Sequence, residues 1–187
     1  MKPWTNLGRQ VLHQSRVLSL GLERIRTGEG AETDWTVVEI SDGAAVIPRF
    51  DDGDFLLIRQ WRPAAGGPVY ELPAGRVDPG ESPEAAARRE LEEEGGFRAE
   101  ILEPLGMALP LDGICRHRIH YFLGRGLRPV DRRLETFESI ETRRCPPREL
   151  SRMVRDGEIV CGVLLTGLAR LLLRDGEARA FAPEDGR

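Results

Sequence analysis

Residues 82–96, SPEAAARRELEEEGG, carry the signals of one short helix and little else. Ser82 is a side-chain N-cap, and Pro83 suits the first helical position because its missing N–H has no intrahelical partner there. Gly95 and Gly96 stop the run. The predicted helix spans Pro83 to about Glu94. Five of the six residues from Arg89 to Glu94 are charged, four of them acidic. With about 100° per residue, Glu90, Glu93 and Glu94 share one sector, whereas Glu92 points elsewhere. Ala87 and Leu91 lie beside that sector, so the acidic edge borders the buried side. A plain solvated face would tolerate such a cluster, since like charges at i, i+4 cost only about a few tenths of a kcal/mol. Yet acids at the C-terminal end of a helix meet the negative end of its dipole. A divalent cation would relieve both penalties, and all-oxygen ligands suit Mg²⁺ or Mn²⁺.

The rest of the chain narrows the partners. Its 187 residues suit one well-packed domain, and a net charge of −4 gives no general attraction to nucleic acid or an anionic membrane. A polyanionic substrate would have to be held by local arginines or by a metal. Cys115, Cys145 and Cys161 form no CxxC pair, which argues for isolated buried or half-buried thiols rather than a zinc site or disulfides. The N-terminal MKPWTNLGRQVLHQSR lacks the apolar core of a signal peptide. IVCGVLLTGLARLLL is too short for a membrane span and contains Arg170. A cytoplasmic protein, with no membrane or nucleic-acid partner, is expected.

Strand signals fall at 15–26, 34–40, 44–48 and 55–60, then at 97–101, 105–108, 118–123 and 139–144, separated by Gly and Asp turns such as DDGD. Pro146 and Pro147 precede a predicted helix over 148–155, and a last helix runs over 162–174. Strands, a helix, more strands and two helices predict an α/β fold, a mixed sheet flanked by helices.

From Gly75 the chain fits G-x5-E-x7-R-E-U-x-E-E-x-G-U, with U apolar, at every specified position through Phe97. It thereby resembles the Nudix hydrolases. The resemblance implies an α/β/α sandwich with a mixed β-sheet and an N-terminal antiparallel strand extension. It divides the chain into an extension over 1–45, a hydrolase domain over 46–175 and a polar tail over 176–187. The implied chemistry is Mg²⁺-dependent hydrolysis of a nucleoside diphosphate linked to another group. Glu90 and Glu94 match the main metal ligands, Glu93 a supporting catalytic carboxylate, and Arg89 a residue that orients a carboxylate. Gly75 is expected to make a tight turn after the strand ending in VYELPA, and Gly80 to serve the turn into the helix.

Upstream, LLIRQWRPAAGGPVYELPAG resembles the R-Q-Y-R … E-L-P-A-G arrangement of the ADP-ribose pyrophosphatase and nucleoside-diphosphate-sugar branch, with Trp61 where Tyr is usual. This implies that Arg62 contacts substrate, Glu71 lines the site and the Ala74 carbonyl ligates metal. Arg59 is either a further substrate contact or a surface strand cap. In TFESIET, Glu138 matches a third metal ligand or general base, with Glu135 and Glu141 as competing registers. Relatives often carry S-P-G-x-x-x-E-R where this chain reads LPLDGICRH, with His117 in place of an acid. That loop offers Asp112 as a substrate contact and leaves the substrate's far group open. The branch further implies a homodimer built through the N-terminal strands. The activity implied is cleavage of ADP-ribose to AMP and ribose 5-phosphate. Its alternatives are another nucleotide sugar, such as GDP-mannose or UDP-glucose, or a non-catalytic nucleotide-sugar sensor.

Overall fold

The structure is a computed structural model that describes residues 1–134 and 136–175, so Glu135 and the tail 176–187 lie outside the described residues. In chain order the strands are β1 (Thr5–Gln14), β2 (Leu18–Arg26), β3 (Glu32–Ile40), β4 (Gly43–Pro48), β5 (Phe55–Arg62), β6 (Gly67–Glu71), β7 (Ala74–Arg76), β8 (Phe97–Ala108), β9 (Cys115–Arg116), β10 (Ile119–Pro129) and β11 (Ile140–Cys145). The α-helices are α1 (Pro83–Glu90), α2 (Pro147–Arg155) and α3 (Gly162–Asp175). The described residues form two compact units: Met1–Asp42 with Leu109–Arg118, and Gly43–Ala108 with those from Ile119 to Asp175.

In the first unit β1, β2 and β3 form an antiparallel meander, and β9 adds in parallel beside β3. β1 escapes sequence patterning because nine of its ten residues are exposed, which leaves no apolar alternation to read. At the centre of this sheet Glu23 is only 2 % exposed. Its Oε1 accepts from Arg9 Nη1 at 3.0 Å and Arg116 Nη1 at 2.5 Å, and its Oε2 from Arg116 Nη2 and Asn6 Nδ2, both at 2.6 Å. Both arginines also reach Glu39, at 3.1 and 2.7 Å. The Arg116 hydrogen bonds, with help from Arg9, outweigh desolvation and hold the Glu23 carboxyl below its ordinary range.

The second unit is sorted by strand parity. All six residues of β4 are buried. Ala44 and Val46 pack with Leu56, Phe122 and the Ala86, Ala87 and Leu91 side chains of the α1 region. Ala45 and Ile47 instead join Leu57, Tyr121 and Leu123 against Leu150 and Met153 of α2 and Leu164, Leu168 and Leu171 of α3. Because alternate side chains leave a strand on opposite faces, burial on both faces requires a helical layer on each. One sheet runs β7-β4-β10-β8, with β10 parallel to β4 and antiparallel to β8, and the other runs β11-β5-β6. The unit is thus the expected α/β/α sandwich, built on one mixed sheet and one antiparallel sheet. The two predicted strands over 97–108 are a single strand, β8, and Gly106, at φ 91°, adjoins a register shift against β10. No helix among the described residues is long and apolar enough to cross a membrane.

Candidate active site

The acidic helix ends differently from expectation. α1 stops at Glu90, and the chain continues as a single π turn over Leu91–Gly95, closed by Gly96 at φ 73°. The Ser82 side chain accepts from Ala85 N at 3.1 Å, as its capping role requires. The π turn is held by Leu91, which is fully buried, and by Gly95, pressed against Leu91, Leu56 and Pro73. Burying a leucine of this kind contributes about 2 kcal/mol.

Glu90 and Glu94 are consequently turned inward, with exposures of 8 % and 4 %. Glu94 accepts a hydrogen bond from the Ala74 amide at 2.8 Å. Burial pushes its carboxyl up to about 8; the charges of Glu90 and Glu138 add to that rise, while the Ala74 amide and Arg62 oppose it. Burial likewise raises Glu90, against the pull of Arg89. Gly75 explains how Glu90 fits. A Cβ built there would lie 1.9 Å from Glu90 Oε1, so the carboxylate occupies the space any side chain would need. The expected tight turn at Gly75 is therefore corrected: the residue lies in β7, opposite Ala44 and without positive φ, and glycine is required by close approach.

Arg89 ties the acids into a frame. Its Nε and Nη2 donate to the two oxygens of Glu81, both at 3.1 Å, its Nη1 donates to Glu90 at 2.6 Å and Glu93 at 3.2 Å, and Nη2 also donates to the Arg76 carbonyl at 2.9 Å. The fork holds the Glu81 carboxyl below its ordinary range. The resemblance implies only that Arg89 orients a carboxylate; the Glu81 fork joins residues eight apart and depends on the loop between them. Glu92 faces away and pairs with Arg98 at 2.7 Å.

A cavity of about 220 Å³ opens over this frame, lined by Arg62, Ala74, Gly75, Glu90, Glu93, Glu94 and Glu138 among others. Arg62 comes from the end of β5, where its Nε and Nη2 donate to Glu71 at 2.9 and 2.5 Å. Of the three competing acids, Glu138 reaches the cavity, Glu141 sits in β11 and pairs with Arg59 at 3.8 Å, and Glu135 lies outside the described residues. Arg59 is not among the lining residues: strand parity puts it on the face of β5 opposite Arg62, with its guanidinium 5.5 Å from the centre of the Tyr70 ring. Asp112 is an exposed residue of the first unit, in the turn before β9, and Trp61 is 61 % exposed.

A NUDIX domain profile matches residues 40–160, more than half the chain, and its span contains the whole acidic frame. The chain belongs to the NUDIX family. It is 30 % identical over 162 residues to an ADP-ribose pyrophosphatase of Mycobacterium tuberculosis, covering 85 % of this chain and 78 % of that one. It is 26 % identical over 155 residues to an ADP-ribose pyrophosphatase of Bacillus subtilis, covering 82 % and 84 %. A CMP-5'-(N-acetyl-N-hydroxy-3-aminopropyl)phosphonate hydrolase of Streptomyces rubellomurinus is 28 % identical over 169 residues, covering 90 % and 82 %. Among solved structures, one described as an ADP compounds hydrolase superposes with a TM-score of 0.81 at 21 % identity, covering 97 % of this chain and 98 % of that one, which supports the fold. The protein is thus a Nudix hydrolase similar to ADP-ribose pyrophosphatases.

Nudix hydrolases generally act with divalent metal ions. The residues here fit one in an open manner. Among the described residues no three His, Cys, Asp or Glu side chains are gathered as a cage, and Arg89 holds one oxygen each of Glu90 and Glu93. What the chain offers is two buried carboxylates whose ionised forms are disfavoured by burial. An ion completed by substrate phosphates and water suits such a partial oxygen set.

Proposed function

We propose that this Nudix hydrolase cleaves the diphosphate bond of ADP-ribose, with Mg²⁺, to AMP and ribose 5-phosphate. The observation that supports the reading is the presence, in one cavity, of two buried carboxylates and the Arg62 guanidinium. Relatives named as ADP-ribose pyrophosphatases, similar over more than four fifths of the chain, support the substrate. Glu90, Glu94 and the Ala74 carbonyl would hold the ion, with Glu138 as a further ligand or as the base. When bound, the ion supplies neutralisation of the diphosphate charge and activation of the attacking water. Arg62 binds a phosphate oxygen through the guanidinium edge not committed to Glu71. Arg89 keeps Glu81, Glu90 and Glu93 oriented, so little reorganisation is needed when substrate arrives. Either Glu138 or Glu93 accepts the water's proton.

The relative that acts on a CMP-linked phosphonate favours a second reading, in which a different nucleotide conjugate is cleaved by the same site. Arg59, on the face of β5 opposite Arg62, and Asp112, in the first unit, are not part of the proposed site. A homodimer formed through the first unit is also proposed, on the exposed Trp4, Leu7, Val11 and Leu12 of the β1 region. The deciding experiment is a Mg²⁺-dependent hydrolysis screen over ADP-ribose, GDP-mannose, UDP-glucose and CMP conjugates, with Glu94→Gln as the control. ADP-ribose is expected to be the best substrate; its survival beside a cleaved competitor overturns the assignment, and binding without turnover by the wild type leaves the sensor reading instead.

A further inference from the structure

The even-numbered residues of β5 share a face: Leu56 and Ile58 are buried apolar residues, and Arg62 ends the row at the cavity. Gln60 interrupts the apolar series, although it is only 6 % exposed. An amide buried at that level is costly unless its polar atoms are bonded. Its Nε2 donates to Glu71 Oε2 at 3.0 Å, the same oxygen that accepts from Arg62 Nη2. Glu71, opposite Ile58 on β6, therefore receives three donors: one neutral amide and both arms of the Arg62 fork.

We infer that Gln60 is a positioning residue, which through Glu71 sets the angle at which Arg62 meets the substrate's diphosphate. The chemistry requires this residue type. A carboxylate free to rotate would carry the guanidinium with it, and a third donor at a fixed point removes that rotation. A neutral amide does so without a second cation competing for Glu71, and without a second anion drawing Arg62 off its fork. The strand supplies rigidity, since Gln60 is also in register with Val69 on β6 and Ile140 on β11. Gln60 is not among the residues lining the cavity, and its amide bonds Glu71 rather than the acidic frame, so its influence on the site runs through Arg62.

This inference rests on the reading of the cavity as a diphosphate site, and its test separates the two. Gln60→Met, Arg62→Ala and the double variant are compared by KM and kcat for ADP-ribose and, independently of turnover, by calorimetric binding of ADP. Gln60→Met keeps the volume and removes the donor. It is expected to raise KM and the ADP dissociation constant about tenfold, the scale of one hydrogen bond to a charged group, with a much smaller change in kcat. The double variant is expected to bind no worse than Arg62→Ala, within about twofold, because the relay acts only through Arg62. Glu71→Gln reads the same relay from its centre and is expected to raise KM at least as much as Gln60→Met. Losses that multiply in the double variant, a fall in kcat at unchanged KM, or a wild type that binds no ADP would each overturn the inference. A wild type that binds ADP but leaves ADP-ribose intact sinks the substrate assignment alone, and the binding cycle still decides the relay.

Discussion

Glu23 in the N-terminal sheet and Glu94 at the end of the Nudix helix are buried to nearly the same degree, at 2 % and 4 % exposure, but their surroundings differ in sign. Glu23 is met by Arg9 and Arg116 within 3.0 Å, and its carboxyl is held below the ordinary range. Glu94 has an amide as its hydrogen-bond donor, and burial with the charges of Glu90 and Glu138 outweighs that amide and the charge of Arg62, raising it to about 8. A buried acid compensated inside the chain is a structural cross-link. A buried acid pushed away from its charged form is kept at a cost to stability, and that cost points to a cation from outside.

The contrast can be broken first at its two acids. Glu94→Gln is expected to lower kcat/KM by more than about a hundredfold, beyond what losing an outer partner of a metal ligand costs, while the midpoint of unfolding in chelator stays level or rises. Glu23→Gln is expected to do the reverse to stability, lowering it by about 2 kcal/mol, since it leaves Arg9 and Arg116 without their shared carboxylate; the half exposure of Arg116 limits the loss. Urea unfolding of both variants checks the pair, and a strongly destabilised Glu94→Gln would erase the distinction.

The acidic frame is the next target. Arg89→Lys retains charge but not the fork to Glu81, and Gly75→Ala places a methyl group where Glu90 stands; each is expected to cost about tenfold to a hundredfold in kcat/KM. Steady-state kinetics at saturating Mg²⁺ and over a Mg²⁺ titration measure this, and near wild-type values for Gly75→Ala would show that Glu90 need not sit against β7.

The smallest effect concerns acid. Glu23 has a folded value below its ordinary 4.5, so its contribution is fully present above the unfolded value and is lost as pH falls below about 4.5 through the folded value. The stability gap between wild type and Glu23→Gln is therefore expected to narrow between pH 6 and pH 3. A gap that stays constant over this range would mean that Glu23 is not charged through Arg9 and Arg116.

Much of this arrangement could be read in the residues beforehand. Ser82, Pro83 and Gly96 bounded the helix, and the spacing of Glu90 and Glu94 put them on one side of it, because caps and helical periodicity are local properties. β1 was invisible, since an edge strand with almost every side chain in solvent has no pattern to betray it. Three features of the site depend on the fold rather than on neighbours in sequence: the π turn after Glu90, the close approach of Gly75 to Glu90, and the Gln60–Glu71–Arg62 relay. Glu138 could be separated from Glu141 only when β11 paired with β5 and carried Glu141 to Arg59.

Calorimetric titration of Mg²⁺ and Mn²⁺ into wild type and Glu94→Gln tests, without reference to turnover, the proposed divalent-cation site at Glu90 and Glu94. Saturable binding by the wild type, weakened at least tenfold in Glu94→Gln, is the expected result; identical isotherms for the two proteins would contradict the account.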